Sequence, residues 1–253
     1  MSRMAPSPSL LLVEIGACDE PGFESWSPFC LKAHRALVVA GLRYRRAVKK
    51  LPSEAKPYNP TGQYPSLVVD GTSVPDSSDI LHKLDDLSGG KLTAGLSGTA
   101  LGEAWLYEEL GDSTVNGYLL ASRWADDENF PRARDAIMSG IPGAVRGIAG
   151  HIFRRGIVKR LVARDVWRAG PEACWRRFGD TLDALEARAP EHGFWMATAA
   201  PTVADLGLFG QLQEVRTRVT PRQRGWIESR PRLRGWLDRV DAATNRSAAL
   251  VDS

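Results

Sequence analysis

The sequence predicts an α/β domain followed by an all-α domain, and three observations carry that prediction. Strand-length apolar runs and helical periodicity alternate as far as Leu87. A stretch rich in glycine and serine follows, Ser88-Gly89-Gly90 through Ser97-Gly98, and it has the composition of a linker. Beyond it only helical periodicity is found. The expected domains span 7–88 and 99–246.

The elements justify this division in order. Ser9 to Ile15 is an apolar run of strand length, and a Gly/Pro/Ser-rich loop follows from Gly16 to Ser27. Pro28 opens a helix, because its missing N–H would be unpaired in the first turn anyway. Leu31, Ala33, Ala36, Leu37 and Ala40 recur at helical spacing, and Gly41 supplies the stop. Leu42 to Val48 alternates apolar and basic residues, as a half-buried strand does. Ser66 to Asp70 is a third strand, Thr72 to Val74 a fourth, and Ile80, Leu81, Leu84 and Leu87 mark the next helix. Past the linker, helices are expected near 99–125, 131–168, 171–189, 202–218 and 231–243.

A chain of 253 residues can bury a large core without disulfides or metals. Its net charge of +3 argues against a protein built around nucleic-acid affinity. Cys18, Cys30 and Cys174 do not form a disulfide framework and fit a reducing compartment. His34, His82, His151 and His192 show no metal spacing with these cysteines, so no metal is assigned. No stretch is long enough to span a bilayer. The apolar run Leu10 to Val13 meets Glu14 at once and reads as a buried strand, not a signal-peptide core. The expected location is the cytoplasm.

Four motifs carry chemistry. Ser27-Pro28-Phe29-Cys30 opens a helix after a first strand, where thioredoxin-like folds hold their reactive group. Free N–H groups and the positive end of the helix dipole stabilise a thiolate there. Ser27 takes the position of the first redox cysteine, so its hydroxyl can donate to the sulfur of a bound thiol. The plain alternative is a helix N-cap. Tyr64-Pro65 stands directly before the third strand. With a cis bond, the Tyr64 backbone can pair with an extended peptide-like ligand; with a trans bond, Pro65 is only a strand start. Asp76 and Ser77 begin a helix, where they can cap it or bind the ammonium and carboxylate of an amino-acid head group. Thr202-Val203-Ala204-Asp205 is a capping box before an apolar helix, a structural device.

In order and spacing these motifs resemble the glutathione S-transferase superfamily over nearly the whole chain. Ser27-Pro28-Phe29 looks like the catalytic serine motif of the plant tau class. Asn59-Pro60 through Tyr64-Pro65-Ser66-Leu67 is similar to the family's loop and cis-proline. Asp76-Ser77 sits where the family usually has Glu-Ser, which holds the γ-glutamyl group. Thr202 to Asp205 matches its capping box. Ser27 to Lys32 and Ala204 to Leu212, with the region Arg155 to Arg168, are similar to the metaxin and failed-axon-connections branch. The chain departs from the pattern in Asp76, one methylene shorter than Glu, in Tyr64 for a small aliphatic residue, and in the long loop before Ser27.

The resemblance implies a glutathione S-transferase fold, thioredoxin-like then all-helical. It implies a transferase that conjugates or exchanges glutathione, or a related thiol, with an apolar electrophile, as detoxification enzymes do. Ser27 would stabilise the thiolate, Tyr64 and Pro65 would hold the cysteinyl backbone, and Asp76 and Ser77 would hold the γ-glutamyl group. The helical domain would supply an apolar pocket, bordered by Tyr107, Tyr118 and Trp124 unless these are core. A homodimer is the family habit. Two alternatives stand: a non-catalytic metaxin-like interaction module, and a thiol reductase using Cys30, which packing alone would also explain. The basic stretch from Arg146 to Arg168 carries an apolar stripe of Ile148, Ile152, Phe153, Ile157, Leu161 and Val162. It is expected to pack that stripe inward; contact with a membrane surface or an acidic partner is the alternative.

Overall fold

The computed structural model describes residues 8–16, 18–245, 250 and 251; the outer bounds expected for the two domains, residues 7 and 246, lie outside them. The first part holds four strands, β1 (Leu10–Ile15), β2 (Arg45–Lys49), β3 (Ser66–Val69) and β4 (Thr72–Pro75), and two helices, α1 (Pro28–Ala40) and α2 (Ser77–Ser88). The sheet order is β2-β1-β3-β4. β1 and β2 are parallel, so α1 serves as the crossover that a parallel pair needs. The other two pairings are antiparallel. Central β1 buries Leu10, Leu12 and Val13, while the edge strand β2 carries Arg45, Arg46 and Lys49, charges that discourage pairing with another chain. Leu31 and Leu37 of α1 join Ile80, Leu81 and Leu84 of α2 and Leu12 and Leu67 of the sheet in one core. α1 ends as expected: Gly41, at φ 70, turns its N–H back to the carbonyls of Leu37 and Val38.

The second part is helical. α3 (Gly98–Leu110) runs through a π-helical turn (Gly111–Val115) into α4 (Asn116–Leu120), and a second π turn (Ala121–Ala125) ends the rod. Then come α5 (Phe130–Ile137), α6 (Gly143–Ala163), α7 (Gly170–Arg188), α8 (Val203–Val215), α9 (Pro221–Glu228) and α10 (Pro231–Thr244). α8 is buried along nearly its whole length. Two glycines bring it against α3: a Cβ on Gly111 would lie 2.4 Å from the Gly207 carbonyl oxygen, and one on Gly207 would lie 2.6 Å from the Glu108 Cα. Gly210 on the same helix admits the Pro28 carbonyl of α1, 2.9 Å from where a Cβ would stand. The helical part thus packs directly beneath the start of α1.

Three expectations change. The segment 131–168 is two helices, not one, because Gly140 and Pro142 interrupt the backbone pattern between α5 and α6. The apolar stripe of α6 does not all turn inward. Ile157 and Leu161 are buried with Gly150 on one face, whereas Ile148, Ile152, Phe153 and Val162 are exposed. The stripe was too wide for one side of a helix, and the body supplies a surface only for the 150-157-161 side. A short helix, α9, was also not expected; Pro221 stands at its first position, as a proline opening a helix does, while α10 begins at Pro231 where a helix was expected.

Candidate functional site

The sheet register gathers the motifs at one end of the sheet. Ser66 of β3 pairs with Val13 near the end of β1 and with Pro75 at the end of β4. Tyr64-Pro65, Asp76 and the chain leaving β1 toward α1 therefore meet at the same edge. The Tyr64–Pro65 bond is cis. Tyr64 lies two residues before the first paired residue of β3, so its backbone is outside the ladder. Its phenol donates to the Leu51 carbonyl at 2.8 Å and is pushed up to about 12 by partial burial.

Ser27 is the N-cap of α1, in an extended conformation, and its oxygen accepts the Cys30 N–H at 3.4 Å. Accepting that N–H does not use the hydroxyl's own proton, which lies within hydrogen-bonding reach of the Cys30 sulfur. Ser25 holds the Ser27 backbone by accepting its N–H at 3.1 Å. Cys30, one turn on, is fully buried, and burial pushes its thiol up to about 12. A thiol that stays protonated at neutral pH is a poor nucleophile.

Asp76 caps α2, accepting the Ser78 N–H at 2.9 Å. Its backbone sits at φ 84, ψ 134, a region that non-glycine residues occupy only at a cost of about 1–3 kcal/mol. Ser77 follows, 5 % exposed, with its hydroxyl 3.5 Å from Asp112 Oδ2 on the first π turn.

That last contact opens onto a cluster that local sequence reading missed. Lys32 of α1 is wholly buried and bonds Glu108 at 2.6 Å and also Asp112. Ser78 donates to Glu108 at 2.8 Å, and Gln211 of α8 donates to Asp112 Oδ1 at 3.3 Å. One cation thus serves two carboxylates. Burial, with Glu108 nearby, lifts the Asp112 carboxyl to about 6 against the opposing pull of Lys32. The signal in the sequence was Glu108, Asp112 and Asn116, polar residues four apart and so on one side of the helix, although Glu103, Glu109, Ser113 and Thr114 on the same helix leave that spacing weakly distinctive. π turns inside helices recur at functional sites, and Asp112 stands on one.

A second unforeseen group holds the loop before Ser27. Arg123, on the second π turn, donates to the Trp26 carbonyl at 2.8 Å and to the Glu214 carbonyl at 3.1 Å, and pairs with the Glu214 carboxylate. Its guanidinium lies over the Trp26 indole, as does that of Arg218, which pairs with Asp19 and Glu20. Tyr118 and Trp124 are buried in the helical core, and Tyr107 packs edge-on against Trp195.

Comparison with known proteins agrees with this architecture. A family model described as the glutathione S-transferase N-terminal domain matches residues 26–87, and one described as the C-terminal domain matches 160–239; together they take in more than half of the chain. The isoprene-epoxide–glutathione S-transferase of Rhodococcus sp. (strain AD45) is 24 % identical over 225 residues, 87 % of this chain and 93 % of that one. The β-etherase LigF of Sphingobium sp. strain SYK-6 superposes with a TM-score of 0.62 at 19 % identity, over 95 % of this chain and 99 % of that one. A glutathione transferase family member from Pseudomonas fluorescens pf-5, solved with two glutathione bound, gives 0.59 at 15 % identity, over 94 % and 92 % of the two chains. With its mixed four-stranded sheet, its helical second part and both halves matched, the chain belongs to the glutathione S-transferase superfamily.

Proposed function

We propose that the protein is a serine-type glutathione transferase that joins the glutathione sulfur to an apolar electrophile. The observation that carries this reading is the strained start of α2. Asp76 is held at φ 84 beside the Tyr64-Pro65 turn, with Ser77 at the helix N-terminus behind it. Backbone strain of this kind persists where the surroundings over-determine it, and ligand clamps are such places. The group to be bound fits the chemistry there. The carboxylate of a γ-glutamyl head group would meet the Ser77 hydroxyl and the positive end of α2. Its ammonium would meet Asp76, with Asp112 adding negative charge nearby. The Tyr64 backbone would pair with the cysteinyl unit.

Ser27 would act on the sulfur. Lowering a thiol pKa by about two units requires about 2.7 kcal/mol of preference for the thiolate. A hydrogen bond to a charged group contributes about 1.5–3 kcal/mol, and a helix N-terminus about 0.3–1 kcal/mol more. The thiolate then attacks an electrophilic carbon. The carbon–sulfur bond forms as the bond to the leaving atom breaks, and that atom leaves with the electron pair. With a small epoxide, the class named for the Rhodococcus relative, the leaving atom is the ring oxygen, which takes a proton from water. Burial of Cys30 disfavours the reductase alternative. In the same proposal the enzyme is cytoplasmic, and homodimeric as its family is. No helix among the described residues is long and apolar enough to cross a membrane.

The test is the pH–rate profile of conjugation with a generic aromatic electrophile. Ser27→Ala is expected to slow the reaction at neutral pH and to recover toward wild type at high pH, where the thiol ionises unaided. Cys30→Ala is expected to leave the profile in place. Loss of activity in Cys30→Ala with Ser27→Ala unaffected would mean a reductase. A wild type without turnover or saturable thiol binding would mean a metaxin-like interaction module.

A further inference from the structure

Five of the eight large apolar side chains exposed among the described residues lie on one helix, α6: Val145, Ile148, Ile152, Phe153 and Val162. Ile148 and Ile152 are 69 % and 65 % exposed. The same helix is strongly basic. Between residues 143 and 164 the sequence has Arg146, Arg154, Arg155, Lys159, Arg160 and Arg164 and no acidic residue, although the whole chain carries only +3. The rest of the protein is therefore net acidic, and its positive charge is concentrated here.

The two properties share a face. Ile148, Ile152, Arg155 and Lys159 follow one another at steps of four, three and four, so they line one side of the helix. The opposite side, Gly150, Ile157 and Leu161, packs on the protein. The side chains of Arg155, Lys159 and Arg160 form no ion pair or hydrogen bond among the described residues, whereas Arg154 is held by Asp127 and Arg146 by the Ser139 and Ile141 carbonyls. An outward row that is apolar in its first half and cationic in its second has no side-chain partner among the described residues. A helix of 21 residues is about 31 Å long and can lie flat along a surface.

We propose that α6 docks the protein on an anionic lipid bilayer, with Val145, Ile148 and Ile152 entering the headgroup–acyl boundary and Arg155, Lys159 and Arg160 facing anionic headgroups. Charge decides between this occupant and a second copy of the chain. Two copies meeting through α6 would crowd cations together with no carboxylate on either helix to offset them, whereas an anionic membrane surface attracts each cation and accepts the apolar side chains. The surface is independent of the glutathione site.

Co-sedimentation with vesicles tests this. One set is made of equal parts phosphatidylcholine and phosphatidylglycerol, the other of phosphatidylcholine alone. The wild type is expected to partition onto the anionic set, to ignore the neutral set, and to be released by salt. The double variants I148Q/I152Q and R155E/K159E change exposed positions and should keep their circular dichroism and melting temperature. Each is expected to lose partitioning by roughly tenfold or more. Wild type that stays off the anionic vesicles, or that binds both sets alike, overturns the proposal. So does wild type that binds polyglutamate but not vesicles, or self-association that I148Q/I152Q abolishes in light scattering, which would assign the face to an acidic protein or to a second copy.

Discussion

Asp76 shows most sharply what a single residue contributes. Its φ of 84 costs stability, its carboxylate caps α2, and in the proposed site the same carboxylate meets an ammonium. Glycine adopts that backbone without strain and replaces a capping Asp at a loss of only a few tenths of a kcal/mol. Asp76→Gly should therefore melt at or above the wild-type temperature while its affinity for glutathione drops by roughly tenfold, the scale of one hydrogen bond to a charged group. Thermal melts and binding titrations on the same preparation check both halves; unchanged affinity would reduce Asp76 to a cap. Ser27, Tyr64, Pro65, Asp76 and Ser77 could all be picked out from the sequence because each belongs to a short motif with a local reason, a cap or a strand start. Lys32 could not be paired with Glu108 and Asp112, nor Arg123 with Trp26 and Glu214, because the partners lie 76 to 97 residues away. A buried charge finds its counter-charge through the fold, and local spacing carries no trace of that.

Among the elements, α8 organises the helical part. Its capping box was legible, but the weight falls on Asp205 rather than Thr202. Asp205 is fully buried and accepts from the Thr202 N–H and hydroxyl, from the Trp195 N–H and from the Trp236 indole, so it ties α8 to the preceding loop and to α10. Thr202→Ala should cost about 0.5–2 kcal/mol, the range for a lost cap. Asp205→Ala should cost more, about 3 kcal/mol or above, because several buried donors lose a charged acceptor together. Denaturant unfolding of both variants gives the comparison, and equal losses would refute the hub role. Most helices were visible through their periodicity. The π turns were not, since an extra residue in a helical turn does not disturb the apolar spacing enough to register over five residues. α6 was visible as a helix, but not which of its two apolar sides the body would cover.

For the molecule as a whole, two carboxyls with pKa values raised by burial, Glu214 and Asp112, favour the folded state more strongly at mildly acidic pH. Burial lifts Glu214 from its ordinary 4.5 to about 7 despite Arg123. A carboxyl whose folded-state pKa is raised binds its proton more tightly in the native state. Its contribution is complete below about 4.5 and is lost as pH rises to about 7. Asp112, raised to about 6, acts in the same direction over a narrower window. Glu214→Gln should flatten this part of the stability–pH curve, whatever its effect on absolute stability. Melting temperatures across that window test it, and an unchanged slope would show that Glu214 does not titrate there. The grip on the loop before Ser27 and the cluster behind Ser77 both border the site of the central proposal, that the sheet end with Ser27, Tyr64 and Asp76-Ser77 would bind glutathione. Calorimetric titration of glutathione into the wild type and Ser77→Ala is its most direct measurement. The account predicts saturable binding in the millimolar range or tighter for the wild type, weakened roughly tenfold in Ser77→Ala by the loss of a hydrogen bond to a carboxylate; no saturable heat in the wild type at millimolar glutathione, or equal affinity in the two proteins, would contradict it.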